Sequence, residues 1–264
     1  MMHARNAWLL MGLFACQTAA PPEVAPKQTA KPQAPPVEVD EKIRRLIASD
    51  FPTLTNENGD AFLREWGATQ EASVVTMRTT KGDVVLELFS DVPVHRANFL
   101  YKVYRGYYDP CEFTRVVPDF VVQGGNSEDE RPQQLRFLIG KHTLMPEVLP
   151  HRIHTRGALA MSRSYSNNPD KRSSSYDFYI VTGRQVGARE LFQVGQETGF
   201  VHAEAQKELY ATVGGAPHLD GEHTVFGRVI EGMDVVDALA ATPRDGSDWP
   251  VVKLSFTMDW EDVR

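Results

Sequence analysis

Between residue 74 and the C-terminus, most apolar residues alternate with polar ones or fall in short blocks bounded by turn residues. That is the spacing of strands rather than helices. Residues 74–79 and 83–89 are two such runs around Thr80-Lys-Gly82, which predicts a hairpin. Further strands are predicted over residues 113–125, 157–161, 176–182 and 251–260, and in the loop-then-strand stretch 219–227. Helical spacing replaces alternation at two places. Asp91 and Pro93 open a stretch with Ala97, Leu100, Val103, Tyr104 and Tyr107 on one face, an aromatic stripe read as core. Residues 233–241 place Val236, Leu239 and Ala240 together. Many short strands with two helices predict a mainly β domain, a closed antiparallel barrel, over residues 73–264.

The connections carry less pattern. Residues 127–156 form a long mixed segment with His142, His151 and His154. No carboxylate or thiol completes a ligand set at His151 and His154, and Pro150 disfavours a helix there, so no metal is expected. Residues 164–175 are polar, with a turn at Asn167-Asn-Pro169. Within residues 183–216, positions 203–213 are helix-like and Gly214-Gly215 ends them.

Upstream the character changes three times. In residues 40–72, Asp40 can cap a helix carrying Ile43, Leu46 and Ile47, and Pro52 interrupts it. Asn58-Gly-Asp60 makes a turn, and a second short helix is predicted over residues 61–66, giving a small helical extension packed on the main domain. Residues 17–39 are rich in Pro and Ala and lack core-forming groups, the composition of a disordered or polyproline-like linker. Residues 1–16 read as an export signal: Arg5, then an apolar run over residues 8–15 too short to span a bilayer. The run ends Leu13-Phe-Ala-Cys16, which resembles a bacterial lipobox, although Phe14 is bulkier than usual there. Cys16 would then be the acylated mature N-terminus, anchoring the chain to an envelope membrane and facing the periplasm.

Composition excludes several classes. The chain has 264 residues, 42% hydrophobic and 24% charged, ordinary values for a globular protein. A net charge of −7 with no basic cluster argues against a nucleic-acid partner. Two cysteines, one of them Cys16, cannot build a disulfide framework. A hydrolase would need a nucleophile elbow, and no Gly-x-Ser-x-Gly is present.

The stretch Phe113-Thr-Arg-Val-Val-Pro-Asp-Phe-Val-Val-Gln-Gly-Gly-Asn126 carries the candidate chemistry. Arg115 stands in an apolar run, alternation sends Arg115, Val117 and Asp119 one way, and a kink at Pro118 re-aims Phe120. A fixed cation, an aromatic floor and the Gln123 amide would share one groove. The alternative is a strand edge with a snorkelling arginine. This stretch resembles the signature of the cyclophilins, the peptidyl-prolyl cis-trans isomerases. Gly157-Ala-Leu-Ala-Met161, Asp177-Phe-Tyr-Ile180 and His218-Leu-Asp-Gly-Glu-His-Thr-Val-Phe-Gly227 follow in that family's order.

The resemblance implies an eight-stranded barrel whose ends are capped by two helices, acting without cofactors, as a monomer, on proline-containing polypeptides. It makes Arg115, Phe120 and Gln123 the catalytic residues. It adds Phe113, Met161, Ser162, Arg163, Asp177, Tyr179, His218, Leu219 and His223 to the substrate groove, with Phe113 beneath. Residues 183–216 match a place where bacterial members often carry an insertion. Two positions depart from the family pattern: Asp177 replaces the usual Gln, and His218 stands where many eukaryotic members have Trp. Asp177 is expected to pair with Arg115, orienting it and slowing the enzyme. The function implied is isomerisation of Xaa-Pro bonds in exported proteins. A non-catalytic module that binds proline-containing segments is the alternative.

Overall fold

The computed structural model describes residues 50–260 and 263–264. The predicted signal and lipobox with Cys16, the linker over residues 17–39 and the helix capped by Asp40 lie outside the described residues.

The predicted hairpin forms as drawn. Strands β1 (Val74–Thr79) and β2 (Gly82–Leu88) pair from Val74↔Glu87 to Thr79↔Gly82. Val75, Met77, Val84, Leu86 and Leu88 are buried, as a period of two requires for one core-facing side. The signature stretch is a second hairpin, β3 (Cys111–Val117) and β4 (Val121–Gly124). Its register shifts between Phe113 and Arg115. The remaining strands are β5 (Thr143–Leu144), β6 (Ala158–Arg163), β7 (Ser173–Val181), β8 (Val225–Glu231) and β9 (Ser255–Thr257). They order as β4-β3-β9-β1-β2-β8-β6-β7, and a β4–β7 pairing closes the ring. The expected eight-stranded antiparallel barrel is therefore complete, with β5 added at the start of β7, on Ser173 and Ser174.

Two helices pack as the sequence predicts. Helix α2 (Pro93–Tyr104) sends Phe99 into the barrel, 5.5 Å from Phe178 and 5.3 Å from Phe226. Helix α6 (Met233–Ala240) buries Val236, Leu239 and Ala240 against β2, β3 and β4. The start of α2 differs from the expectation. Asp91 does not cap it but pairs with His151 and Arg152. Glu147 instead accepts the backbone N–H groups of Val94 and His95, placing a negative charge at the helix N-terminus.

The extension is a helix, α1 (Gly59–Ala68), laid across α2. Gly67 is required at the crossing, because a Cβ there would sit 2.5 Å from that of Ala97. Phe62 and Trp66 meet Tyr101 edge-on at 5.3 and 5.2 Å.

Two helices were not foreseen. Helix α3 (Glu130–Ile139) falls in the segment read as a mixed connection. It buries Leu135 and Ile139 but exposes Phe137, so its apolar face is broken. Helix α4 (Ala188–Thr198) buries only Leu191. Helix α5 (Glu204–Thr212) matches the prediction within the insertion. The closing strand β9 is much shorter than predicted, since Val251 and Val252 are exposed in the loop before it.

Candidate active site

A cleft of 260 Å³ opens on the barrel wall where β3, β4, β6 and β7 meet the 3-10 turn Pro217–Leu219. Nine of the twelve sequence-predicted residues line it: Arg115, Phe120, Gln123, Ser162, Arg163, Tyr179, His218, Leu219 and His223. The strand register brings the first of these together. Arg115 pairs with Gln123 across β3–β4, and Gln123 pairs with Tyr179 across β4–β7. Asp119 takes a positive φ of 58°, which turns the chain and lifts Phe120 into the cleft. The ring of Phe120 lies 5.6 Å from the guanidinium carbon of Arg115 and 5.3 Å from the ring of His218.

Arg115 is the permanent charge of this wall. Its side chain is 40% exposed and its Nε donates to Asp248 Oδ2 at 3.2 Å. Asp248 is itself held by Arg244 at 3.1 Å, and its carbonyl accepts from Val116 N–H at 3.0 Å. Among the described residues the two Nη groups of Arg115 have no partner, so they remain donors into the cleft.

The opposite rim is fixed by a tautomer. The Nδ1 of His223 lies 3.1 Å from the Met161 carbonyl, which can only accept, so Nδ1 carries the proton. Its Nε2 then accepts from the hydroxyl of Tyr165 at 2.8 Å. Burial pushes the His223 pKa down to about 4, keeping the ring neutral near pH 7. Tyr165 is also covered by Arg163, whose guanidinium carbon sits 4.2 Å from its ring, and Arg163 pairs with Glu222. Tyr165, Val121 and Asp248 were missed in the sequence. Tyr165 sits in a polar loop, and Asp248 is far from the signature, so neither carried a local signal.

Met161 and Asp177 do not line the cleft, and Phe113 lies beneath it, where it was expected. Phe113 is buried behind the wall, 4.7 Å from Phe256. Met161 is fully buried in the same core and meets the site through its carbonyl alone. Both support the cleft instead of lining it.

Asp177 is the larger correction. It lines a separate polar cleft of 850 Å³ with Asn126, Arg136, His142 and Ser174, and accepts from Ser174 Oγ at 2.7 Å. The cation it was expected to hold is held by Asp248. The reason is distance along the strand. Asp177 shares a strand face with Tyr179 but stands two residues away, about 7 Å, where the β6–β7 register shifts between Phe178 and Ser173. Asp177→Gln is therefore expected to leave kcat/KM for a proline peptide unchanged within about twofold, an energy of about 0.4 kcal/mol. A tenfold change in steady-state assays would contradict this placement.

Burial also sets an expected pH response. It pushes His142 down to about 3 and His223 down to about 4. The unfolded chain protonates these rings near pH 6.5, so below that value it holds more protons than the native state. Stability should then fall as pH drops from about 6.5 towards 4. Asp177, raised chiefly by burial, acts in the opposite sense but is one group against two. Urea midpoints measured from pH 7 to pH 4.5 should decrease; a rise would contradict the assignment of neutral buried rings.

Comparison with known proteins agrees with this geometry. The profile of the family described as "Cyclophilin type peptidyl-prolyl cis-trans isomerase/CLD" matches residues 74–257. A Staphylococcus epidermidis protein named "Putative peptidyl-prolyl cis-trans isomerase" is 33% identical over 178 residues, covering 67% of this chain and 85% of that one. A Streptococcus pyogenes protein named "Putative bifunctional phosphatase/peptidyl-prolyl cis-trans isomerase" is also 33% identical, over 67% of this chain but only 36% of its own length. Among solved structures, a Cryptosporidium parvum cyclophilin type peptidyl-prolyl cis-trans isomerase, crystallised in the presence of the dipeptide Ala-Pro, shares the fold. It aligns with a TM-score of 0.50 and 24% identity over 70% of this chain and 97% of that one. The profile runs from β1 to β9 and takes in every residue of the cleft, and the chain belongs to the cyclophilin-type peptidyl-prolyl cis-trans isomerases.

Proposed function

We propose that this cleft turns Xaa-Pro bonds in exported polypeptides, with Arg115 as the residue that lowers the barrier. The observation that carries this reading is a guanidinium with free Nη donors beside an aromatic pocket. An Xaa-Pro amide resists rotation because its nitrogen lone pair is delocalised, at a cost of about 18–20 kcal/mol. In the twisted transition state that lone pair is localised on nitrogen. A donor held in place beforehand interacts better with it than with the planar ground state, and only such a difference accelerates rotation. Phe120, Tyr179, His218 and Leu219 would grip the proline ring while the preceding carbonyl swings. Gln123 offers its amide to the substrate backbone. Ser162 adds a hydroxyl with no protein partner. Nothing in this step needs a nucleophile or a redox group. The alternative of a silent binding module drew its support from Asp177 beside Arg115, and Asp177 lies in another cleft. A protease-coupled assay on the full chain should show accelerated cis-to-trans conversion; binding of a proline peptide without acceleration would favour the silent module.

The site of action follows from the N-terminal sequence. Arg5, the apolar run before Cys16 and the string Leu13-Phe-Ala-Cys16 support export with a lipid anchor, and so an enzyme tethered at the periplasmic face of an envelope membrane. Wild-type protein expressed in a bacterium should sediment with membranes, and Cys16→Ala should release it or arrest its processing. Equal membrane association of the two would overturn the anchor.

A further inference from the structure

The insertion over residues 183–216 is joined to the cleft through one buried carboxylate. Asp220 follows directly on the cleft residues His218 and Leu219 and is 1% exposed. Its Oδ1 accepts from the backbone N–H and from Nδ1 of His154, both at 2.8 Å. Its Oδ2 accepts from Nε2 of His202 at 2.8 Å and from the hydroxyl of Tyr210 at 2.5 Å. The four acceptor directions of a carboxylate are thereby filled. Burial alone would raise its pKa, but the hydrogen bonds from His154, His202 and Tyr210 outweigh it and hold the group at about 2. Asp220 is thus a fixed anion with two donors from the insertion on one oxygen and His154 on the other.

The far side of His154 reaches the cleft. Nδ1 carries the proton given to Asp220, and Nε2 faces the opposite way, towards Tyr179. The hydroxyl of Tyr179 lies 3.1 Å from it, and the two rings are nearly parallel, 17° apart. Tyr179 is a wall of the pocket assigned to the proline ring. A phenylalanine would fill the same space, so the hydroxyl has a use only if it fixes the ring against something rigid.

We propose that Asp220 and His154 are positioning residues that hold Tyr179 for the proline ring, and that His202 and Tyr210 make the insertion part of this clamp. Among the described residues Tyr210, on α5, makes no hydrogen bond or ring contact with a residue lining the cleft, so its effect on substrate passes through Asp220. The proposal rests on the isomerase reading of the cleft. It concerns the grip on the substrate, and so predicts changes in KM larger than those in kcat.

The test is a kinetic cycle on the full chain with an Xaa-Pro peptide, using Tyr179→Phe, Tyr210→Phe and the double variant, each checked for folding by circular dichroism. Wild-type activity is measured first; its absence would defeat the isomerase reading itself. Given an active wild type, Tyr179→Phe should raise KM about three- to tenfold, the value of one neutral hydrogen bond, with kcat changed less. Tyr210→Phe should raise KM about two- to fivefold by the same route. In the double variant Tyr210→Phe should add nothing, because the bond through which it acts is already gone. A purely structural role for Tyr210 would lower thermal stability equally in both backgrounds without this pattern. Unchanged KM in either single variant, or KM effects that multiply in the double, would overturn the proposal. Should Tyr210→Phe fail to fold, His202→Gln replaces it in the same cycle.

Discussion

Replacing Arg115 by alanine is expected to cut kcat/KM for an Xaa-Pro peptide by about 100- to 1000-fold, a barrier increase of about 2.7–4 kcal/mol. That is the range for removing one preorganised donor aimed at charge that develops in the transition state. The loss should fall on kcat, because the guanidinium meets the localised lone pair only when the amide is twisted. The fold should survive. Arg115 is 40% exposed, and its protein contacts are the Asp248 ion pair and the face of Phe120. A partly exposed pair of this kind contributes about 0.2–1 kcal/mol to stability. Lysine should not rescue fully, since a point charge on a flexible stem lacks the planar fork that Asp248 orients from Nε. Steady-state kinetics on folded protein check this. A kcat/KM within tenfold of wild type would remove Arg115 from the mechanism.

The second large effect is on stability. Phe178 is fully buried and meets Phe99, Tyr108 and Phe256 edge-on, at 5.5, 5.7 and 5.7 Å. Its backbone pairs with Gly124 on one side and Met161 on the other, so it also braces the sheet beneath the cleft. Phe178→Ala removes a large side chain from a close-packed aromatic cluster that cannot collapse to fill the space. The expected cost is about 3–5 kcal/mol, or roughly 6–20 °C in Tm for a domain of this size. Thermal unfolding by circular dichroism measures it. A shift under about 3 °C would mean that the cluster is not tightly packed. The two substitutions separate the functions of neighbouring strands: Arg115 should affect rate with little effect on Tm, and Phe178 the reverse.

Much of the cleft was legible because its residues sit in compact local blocks. The stretch from Phe113 to Asn126 carries its own turn and its own glycines. Gly125 illustrates why the pattern is so local: it adopts φ 99°, and a Cβ there would lie 2.2 Å from the Tyr176 carbonyl. The resemblance to the cyclophilin signature put Arg115, Gln123 and Tyr179 in one groove, and the strand pairing brings the three side by side. Alternation gives the face of a residue, however, and not its distance along the groove. Asp177 has the correct face and the wrong position, which is why its pairing with Arg115 failed. The true partner, Asp248, comes from a loop that nothing in the signature specifies. Helices α3 and α4 escaped notice for a different reason. Each buries one or two apolar residues, too few for a 3.6-residue period to stand out.

On the proposed reading the Arg115 cleft accelerates rotation rather than merely holding proline. Exchange spectroscopy by NMR, on an Xaa-Pro peptide with the full chain at sub-stoichiometric concentration, tests it most directly. Uncatalysed interconversion takes tens to hundreds of seconds, so cis and trans peptide signals do not exchange on the mixing time unless a catalyst is present. Wild type should give strong cis–trans cross-peaks and Arg115→Ala should lose them, although the variant still shifts the peptide resonances on binding. Peptide binding without cross-peaks in wild type, or undiminished cross-peaks in Arg115→Ala, would contradict it.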